Sequence, residues 1–203
     1  VYPHETEETA VARLWTEILR AVRVSEESDP VAAWKEHVSA LQKTADFLNA
    51  HDFLELHYRN GLGTDLHVEL PKGHIWMGGA ERAASGTMFV ANIPTEEVYT
   101  LPKRDGVNGV VVASKPLHYN GNLIAGFSVT FCAGKVTDYH AESGEEHLRE
   151  LLQTDEGASF LGEVALVPHA SPISASGILF YNTLFDENAS CHLALGKAYP
   201  TCI

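Results

Sequence analysis

The sequence predicts an α+β fold, with a helical N-terminal part followed by a mostly antiparallel β-sheet domain that has flanking helices. Apolar residues follow a helical period from Thr9 to Asn49 and then alternate with a period of two from Phe53, and Asn-Gly turns separate the alternating runs. We therefore divide the chain into two parts. Residues 1–52 are a helical segment that ends an N-terminal domain or links to one, and residues 53–203 form the sheet domain.

The helical segment is predicted to hold two helices. Apolar residues recur on one helical face over Thr9–Val22, and the polar stretch Ser25–Ser28 follows them. Asp29-Pro30 is typical of a helix start, because an oxygen side chain caps the first turn and proline is tolerated there. The second helix is therefore expected to run from this pair to about Asn49.

The sheet domain is predicted to begin with a hairpin. Leu54–Tyr58 and Leu66–Leu70 alternate, and Asn60–Gly63 supplies turn residues between them. Asn120-Gly121 indicates a second tight turn. The further predicted strands are Met88–Ala91, Gly109–Ala113, Ile124–Phe131, Val136–His140, Val164–Val167 and Ile178–Thr183, and the predicted helices are Glu142–Leu152 and Ala189–Ala198.

Charge and composition exclude several classes of protein. The chain has 27 acidic and 14 basic residues and a net charge of −13, which excludes nucleic acid and an anionic membrane as its main partners. Its three cysteines have no disulfide or zinc-knuckle spacing, and the sequence shows neither a signal segment nor an apolar run of membrane-spanning length. These features predict a cytoplasmic location.

Two segments carry carboxylates where chemistry is possible. Glu96 and Glu97 follow a predicted strand on a segment stiffened by Pro94, although a solvated acidic turn is the more common meaning of such a pair. In an extended segment the two side chains point to opposite sides, so only one of them faces a given site. Glu163 opens an apolar run that predicts a buried strand, where a carboxylate must be paired, protonated or bound to metal.

A histidine lies inside the last predicted helix. His192 is surrounded by alanine, leucine and glycine, and Tyr199 follows two helical turns later, so the two share a face if the helix continues. A histidine in such a setting is more often a hydrogen-bonded core residue than a metal ligand. The sequence around it leaves both readings open.

Together and in this order, these segments resemble the thermophilic metallo-aminopeptidase family, the AmpS, AmpT and PepS group. The resemblance covers nearly the whole chain, and its last three stretches are too long to arise by chance. The matching stretches are DPVAAW (Asp29–Trp34), GTDL (Gly63–Leu66), NIPTEEVYT (Asn92–Thr100), TDEGASFLGEVALVP (Thr154–Pro168) and NTLFDENASCHLALGKAY (Asn182–Tyr199).

The resemblance implies an aminopeptidase that acts on peptides with a free N-terminus. It implies two divalent ions (Zn²⁺, Co²⁺, Mn²⁺ or Mg²⁺) that activate water, and a cytoplasmic homodimer. Carried over motif by motif, the metal ligands are Glu97, Glu163, His192 and Tyr199. Catalytic roles are implied for Glu97, for Glu163 as a bridging ligand and for Tyr199 as a donor to the developing oxyanion. The general base stays open.

Two other functions remain compatible with the sequence: a different metal-dependent amide hydrolase on the same scaffold, and an inactive binding or dimerisation module. The family also supplies a histidine and an aspartate after the GxAY segment, and this chain ends at Ile203. We therefore expect residues 53–203 to be a catalytic domain truncated at its C-terminus, in an internal or truncated fragment that is inactive alone.

Overall fold

The computed structural model describes residues 3–203 and confirms the α+β class. The helices are α1 Glu7–Ala21, α2 Pro30–His51, α3 Glu145–Leu152, α4 Pro172–Ser176 and α5 Thr183–Glu187, with a 3₁₀ helix at Pro200–Cys202. The strands are β1 Glu55–Arg59, β2 Asp65–Glu69, β3 Met77–Gly78, β4 Glu81–Arg82, β5 Met88–Phe89, β6 Val98–Thr100, β7 Val107–Val112, β8 Leu117–Tyr119, β9 Asn122–Cys132, β10 Lys135–Ser143, β11 Leu161–Leu166 and β12 His192–Leu195. Within residues 3–203, no helix has the length and apolar character that crossing a membrane requires.

The larger sheet has six antiparallel strands in the order β1-β2-β7-β9-β10, with β8 paired to β9. Its inward-facing side chains include Leu66 and Val68, which are completely buried. Helix α3 packs against the end of this sheet, where Leu148 and Leu152 join Ile124 in one apolar cluster. This sheet and its helix account for most of the predicted antiparallel domain.

A smaller sheet has the strand order β12-β11-β6-β3, and β4 and β5 form a separate two-stranded ribbon. Strands β11 and β12 pair antiparallel, with Val164 opposite Leu193. Val164 and Ala165 are completely buried, so β11 is an inner strand, as its apolar run predicts.

The chain divides into two compact units that are not contiguous in sequence. The first contains the stretch up to Phe47 together with Met77–Val98 and Leu166–Cys191, and the second contains Leu48–Trp76, Tyr99–Ala165 and His192–Ile203. In the first unit, Ala21 of α1, Ile173 of α4 and Ala189 form a buried apolar cluster. The division at residue 52 into an N-terminal segment and a catalytic domain stays a prediction.

The predicted first hairpin is confirmed, and its turn has a clear physical cause. β1 and β2 pair antiparallel, and the side-chain oxygen of Asn60 accepts hydrogen bonds from the backbone N–H groups of Leu62 and Thr64 at 2.9 and 3.1 Å. Gly63 has a φ of +108°, a conformation that strains any residue with a Cβ. The second predicted turn, Asn120-Gly121, is also confirmed, and it joins β8 to β9.

Two predicted elements in the C-terminal half are wrong. The expected helix Ala189–Ala198 contains strand β12, and the expected strand Ile178–Thr183 is not one, since α5 begins at Thr183. The alanine and leucine residues of β12 favour a helix on their own, and pairing with β11 overrides that preference. The expected helix Glu142–Leu152 is confirmed, but it begins at Glu145, because β10 continues to Ser143 and the chain turns at Gly144, which has a φ of 75°.

A buried ion pair holds the acidic segment in the first unit. Arg23 donates hydrogen bonds to both carboxylate oxygens of Glu96, whose side chain is only 2% exposed. The backbone N–H of Glu96 donates to Asn188 Oδ1 at 2.7 Å, and His37 Nε2 donates to the carbonyl of Thr95 at 2.7 Å. Glu96 therefore faces a basic partner, and it anchors the chain directly before Glu97.

Replacing Glu96 by alanine is expected to destabilise the chain. The change leaves the guanidinium of Arg23, 19% exposed, without its buried counter-ion, which typically costs about 3–5 kcal/mol. Urea unfolding of Glu96→Ala measures the loss in the free energy of unfolding. Glu26→Ala removes the same charge from an exposed position and should change that free energy by about 0.5 kcal/mol or less. Equal effects of the two substitutions would contradict the structural role of the pair.

Candidate metal centre

Glu163 is positioned by an irregularity in β11. In the register with β12, Leu161 is opposite Leu195, whereas Glu163 is opposite Ala194, so Gly162 is the extra residue of a β-bulge. A bulge bends its strand and changes the direction of the neighbouring side chains. Glu163 therefore lies inside the strand at an irregular position, and not at its opening as the apolar run predicted.

The bulge requires glycine because another backbone segment lies against it. A Cβ on Gly162 would stand 2.6 Å from the carbonyl oxygen of Gly196 and 2.8 Å from that of Lys197. Both obstacles are backbone atoms, which cannot move aside as a flexible side chain does. The close approach of these two segments thus fixes the position from which the Glu163 side chain projects out of the sheet.

His192 is placed on the same face of the sheet as Glu163 by the strand register. His192 is opposite Ala165 and Glu163 is opposite Ala194, so the two functional side chains are diagonal neighbours across β11 and β12. His192 Nε2 lies 3.7 Å from Glu163 Oε1, and the two side chains are 16% and 15% exposed. The pair is largely shielded from water and still accessible from one side.

Glu97, the predicted ligand on the acidic segment, belongs to the first compact unit, whereas Glu163 and His192 belong to the second. Glu97 stands one residue before β6, and all three residues are half-buried. Within the second unit the structure brings together two of the four predicted ligands, Glu163 and His192, and the role of all four as ligands stays a prediction.

The donor set suits the metals that the sequence implies. Two carboxylates and one imidazole are ligands that bind Zn²⁺, Co²⁺ or Mn²⁺, with oxygen donors also acceptable to Mg²⁺. The residues present thus fit a divalent metal.

Tyr199, the fourth predicted ligand, lies directly before the 3₁₀ helix. The expectation that it shares a helical face with His192 is wrong, because His192 begins a strand. Tyr199 is 58% exposed, and its ring packs against that of Tyr99 with the centroids 5.7 Å apart. The roles of Tyr199 as ligand and oxyanion donor stay predictions.

Cys202 is a neighbour of the centre that the sequence did not reveal. Burial raises the pKa of the Cys202 thiol, and the negative charge of Glu163 raises this pKa further. The residue is 1% exposed, and its carbonyl accepts a hydrogen bond from the N–H of Ile75 at 2.7 Å. A buried thiol with a raised pKa remains protonated, so Cys202 is not a nucleophile at neutral pH.

Known proteins share this fold and these segments. The family model described as "Thermophilic metalloprotease (M29)" matches residues 1–203. Aminopeptidase 2 of Geobacillus stearothermophilus is 55% identical over 97% of the chain and 47% of its own length, and aminopeptidase AmpS of Bacillus subtilis is 54% identical over 98% of the chain and 48% of its own length. The solved structure of wild-type AmpT from Thermus thermophilus matches with a TM-score of 0.91 and 48% identity, over 99% of this chain and 49% of that one.

These similarities define the class of the protein: it has the fold of a metal-dependent peptidase family. The chain belongs to the thermophilic metalloprotease family M29. It spans about half the length of the curated relatives it matches.

The Gly162 bulge can be tested by stability. Gly162→Ala should lower the free energy of unfolding by about 1–3 kcal/mol, because the added methyl group overlaps backbone atoms that cannot relax. Gly61→Ala is the matched control, since a Cβ there meets nothing within 4 Å and the backbone has no positive φ. Chemical denaturation of both variants measures the difference, and an unchanged stability of Gly162→Ala would refute the close approach.

Proposed function

We propose that the protein is a metal-dependent aminopeptidase that removes N-terminal residues from peptides with a free N-terminus. The observation that carries the proposal is the pair of Glu163 and His192, whose Oε1 and Nε2 atoms lie 3.7 Å apart in a chain of the M29 family. The curated relatives are named aminopeptidases, which supports this substrate class.

Two divalent ions are proposed to be held by Glu97, Glu163, His192 and Tyr199. Glu163 is the bridging ligand in this proposal, since its carboxylate offers two oxygens and lies beside His192. When bound, such ions polarise the scissile carbonyl, activate water and neutralise developing charge. Further ligands are expected from residues other than these four.

The chain's own residues orient the reaction around this centre. Glu97 and Glu163 would hold the divalent ions that anchor the free α-amine of a peptide, which is the proposed basis of a requirement for a free N-terminus. Tyr199 carries a hydroxyl at an exposed position and is proposed to donate a hydrogen bond to the oxyanion that forms at the carbonyl. The base that takes the proton from the attacking water is proposed to be a carboxylate near the site, either Glu97 or another residue.

The proposal is tested by a chimera, because the chain covers 48% of aminopeptidase T of Thermus thermophilus at 51% identity. The chain replaces the matching half of that enzyme, and the release of leucine from a leucyl peptide is measured with Co²⁺ or Zn²⁺. We expect Glu163→Gln and Glu97→Gln to lower kcat/KM by about 10²-fold or more, because transition-state contacts depend on placement. Glu69→Gln, on the exposed side of the larger sheet, is the matched control and should keep full activity.

The other results of this assay separate the remaining functions. Equal turnover of an N-acetylated peptide would identify a different amide hydrolase, since the free amine would then not be recognised. Loss of activity in Glu96→Gln with normal activity in Glu97→Gln would reverse the assignment of the two residues. The expected inactivity of the chain alone, a homodimeric state and a cytoplasmic location are part of the proposal, and the first is measured by the same assay on the chain by itself.

A further inference from the structure

A second group of potential ligands lies on the hairpin β1–β2, away from the residues of the metal centre. His57 on β1 is directly opposite His67 on β2, and Asp65 follows on the same exposed face. The alternate positions Leu66 and Val68 point to the other face and are completely buried. The ligand atoms of His57, Asp65 and His67 all lie within 4.8 Å of one another.

The imidazoles and the carboxylate already converge without a metal. The two histidine rings stack with their centroids 3.9 Å apart. Asp65 Oδ1 lies 2.7 Å from His57 Nε2 and 3.9 Å from His67 Nε2, so one oxygen faces both Nε2 atoms. The tight turn and the buried opposite face hold the two strands in this register, which reduces the ordering that binding requires.

A fourth residue fixes which ring nitrogen of the neutral His67 carries the proton. Glu55 Oε1 accepts a hydrogen bond from His67 Nδ1 at 2.7 Å. With the proton held on Nδ1, the lone pair of the neutral ring is on Nε2, the atom that faces Asp65. A carboxylate behind a histidine in this way is the usual support of a histidine that binds metal, because it orients the ring and makes it more basic.

We propose that His57, His67 and Asp65 form a surface binding site for Zn²⁺ or another divalent transition metal that prefers imidazole ligands. The ligand atoms are His57 Nε2, His67 Nε2 and Asp65 Oδ1, and Glu55 is a positioning residue. Binding replaces the hydrogen bond between His57 and Asp65 by two metal–ligand bonds, and His57 then carries its proton on Nδ1 so that the lone pair on Nε2 is free. The remaining coordination positions are open to water, because all three residues are exposed.

Neighbouring charges work for and against this site. The guanidinium Nε of Arg59 lies 3.8 Å from the other carboxylate oxygen, Asp65 Oδ2, and opposes a second cation. Glu55 and Glu69, opposite each other at the far end of the hairpin, favour one. Lys103 pairs with Glu69 at 2.7 Å and does not reach the ligand atoms in any contact of the described residues. The mixed oxygen and nitrogen donors favour Zn²⁺ or Cu²⁺ over Mg²⁺.

The test is a Zn²⁺ titration of the purified 203-residue chain without an affinity tag. The ring nitrogens of the histidines are followed by NMR, and every protein carries Glu163→Gln so that the metal centre does not compete. Signals of His57 and His67 should shift first and together. His57→Gln and His67→Gln should each lower the Zn²⁺ affinity about tenfold or more, and Glu55→Gln about tenfold.

The matched control is His140→Gln. His140 is exposed and has a carboxylate neighbour, with its Nδ1 2.8 Å from Glu145, but among the described residues it belongs to no group of three ligands. Its replacement should leave the affinity within about twofold, as for an ordinary surface substitution. Unchanged affinity in His57→Gln or His67→Gln, or an equal loss in His140→Gln, would overturn the proposal. The exposed positions of all these histidines allow the variants to fold, which circular dichroism checks.

Discussion

The pairing of β11 with β12 is the interaction on which the metal centre depends. It places His192 and Glu163 as diagonal neighbours, and the bulge at Gly162 sets the direction of the carboxylate. Backbone hydrogen bonds and the contact with Gly196 and Lys197 determine this geometry, so the functional side chains do not have to stabilise the fold themselves. A catalytic centre needs such support, because its ligands must hold their positions against mutual repulsion.

The two adjacent glutamates show how one segment can serve stability and, in our proposal, chemistry. Glu96 is buried against Arg23, so its charge is compensated within the first compact unit, and its backbone N–H is held by Asn188. Burying a carboxylate is costly, and for Glu96 the arginine offsets that cost. Glu97, the next residue, is only partly buried and is the one proposed as a metal ligand.

The sequence was informative where local forces decide and uninformative where distant pairing decides. Both tight turns and the first hairpin were predicted, because asparagine favours turns through local interactions: the Asn60 side chain binds the nearby backbone, and Asn120 adopts a positive φ. Strand β12 was mistaken for a helix, since His192–Leu195 becomes a strand only by pairing with a segment far away in sequence. The same limit applies to the site: the candidate residues came from motifs and family resemblance, whereas the bulge at Gly162 and the position of Cys202 could be seen only in the structure.

The two groups of potential ligands differ in how they are formed, and this difference predicts different behaviour. His57, Asp65 and His67 belong to one hairpin, so the contacts that assemble them are local and need little loop closure. Glu163 and His192 come from strands that are distant in sequence, and they meet only when β11 pairs with β12. The two groups also differ in exposure: water competes for an ion at the exposed hairpin and is largely excluded from the half-buried centre. Electrostatic attraction is stronger where water is excluded, so under both proposals we expect an ion to exchange more slowly at the half-buried centre than at the exposed hairpin.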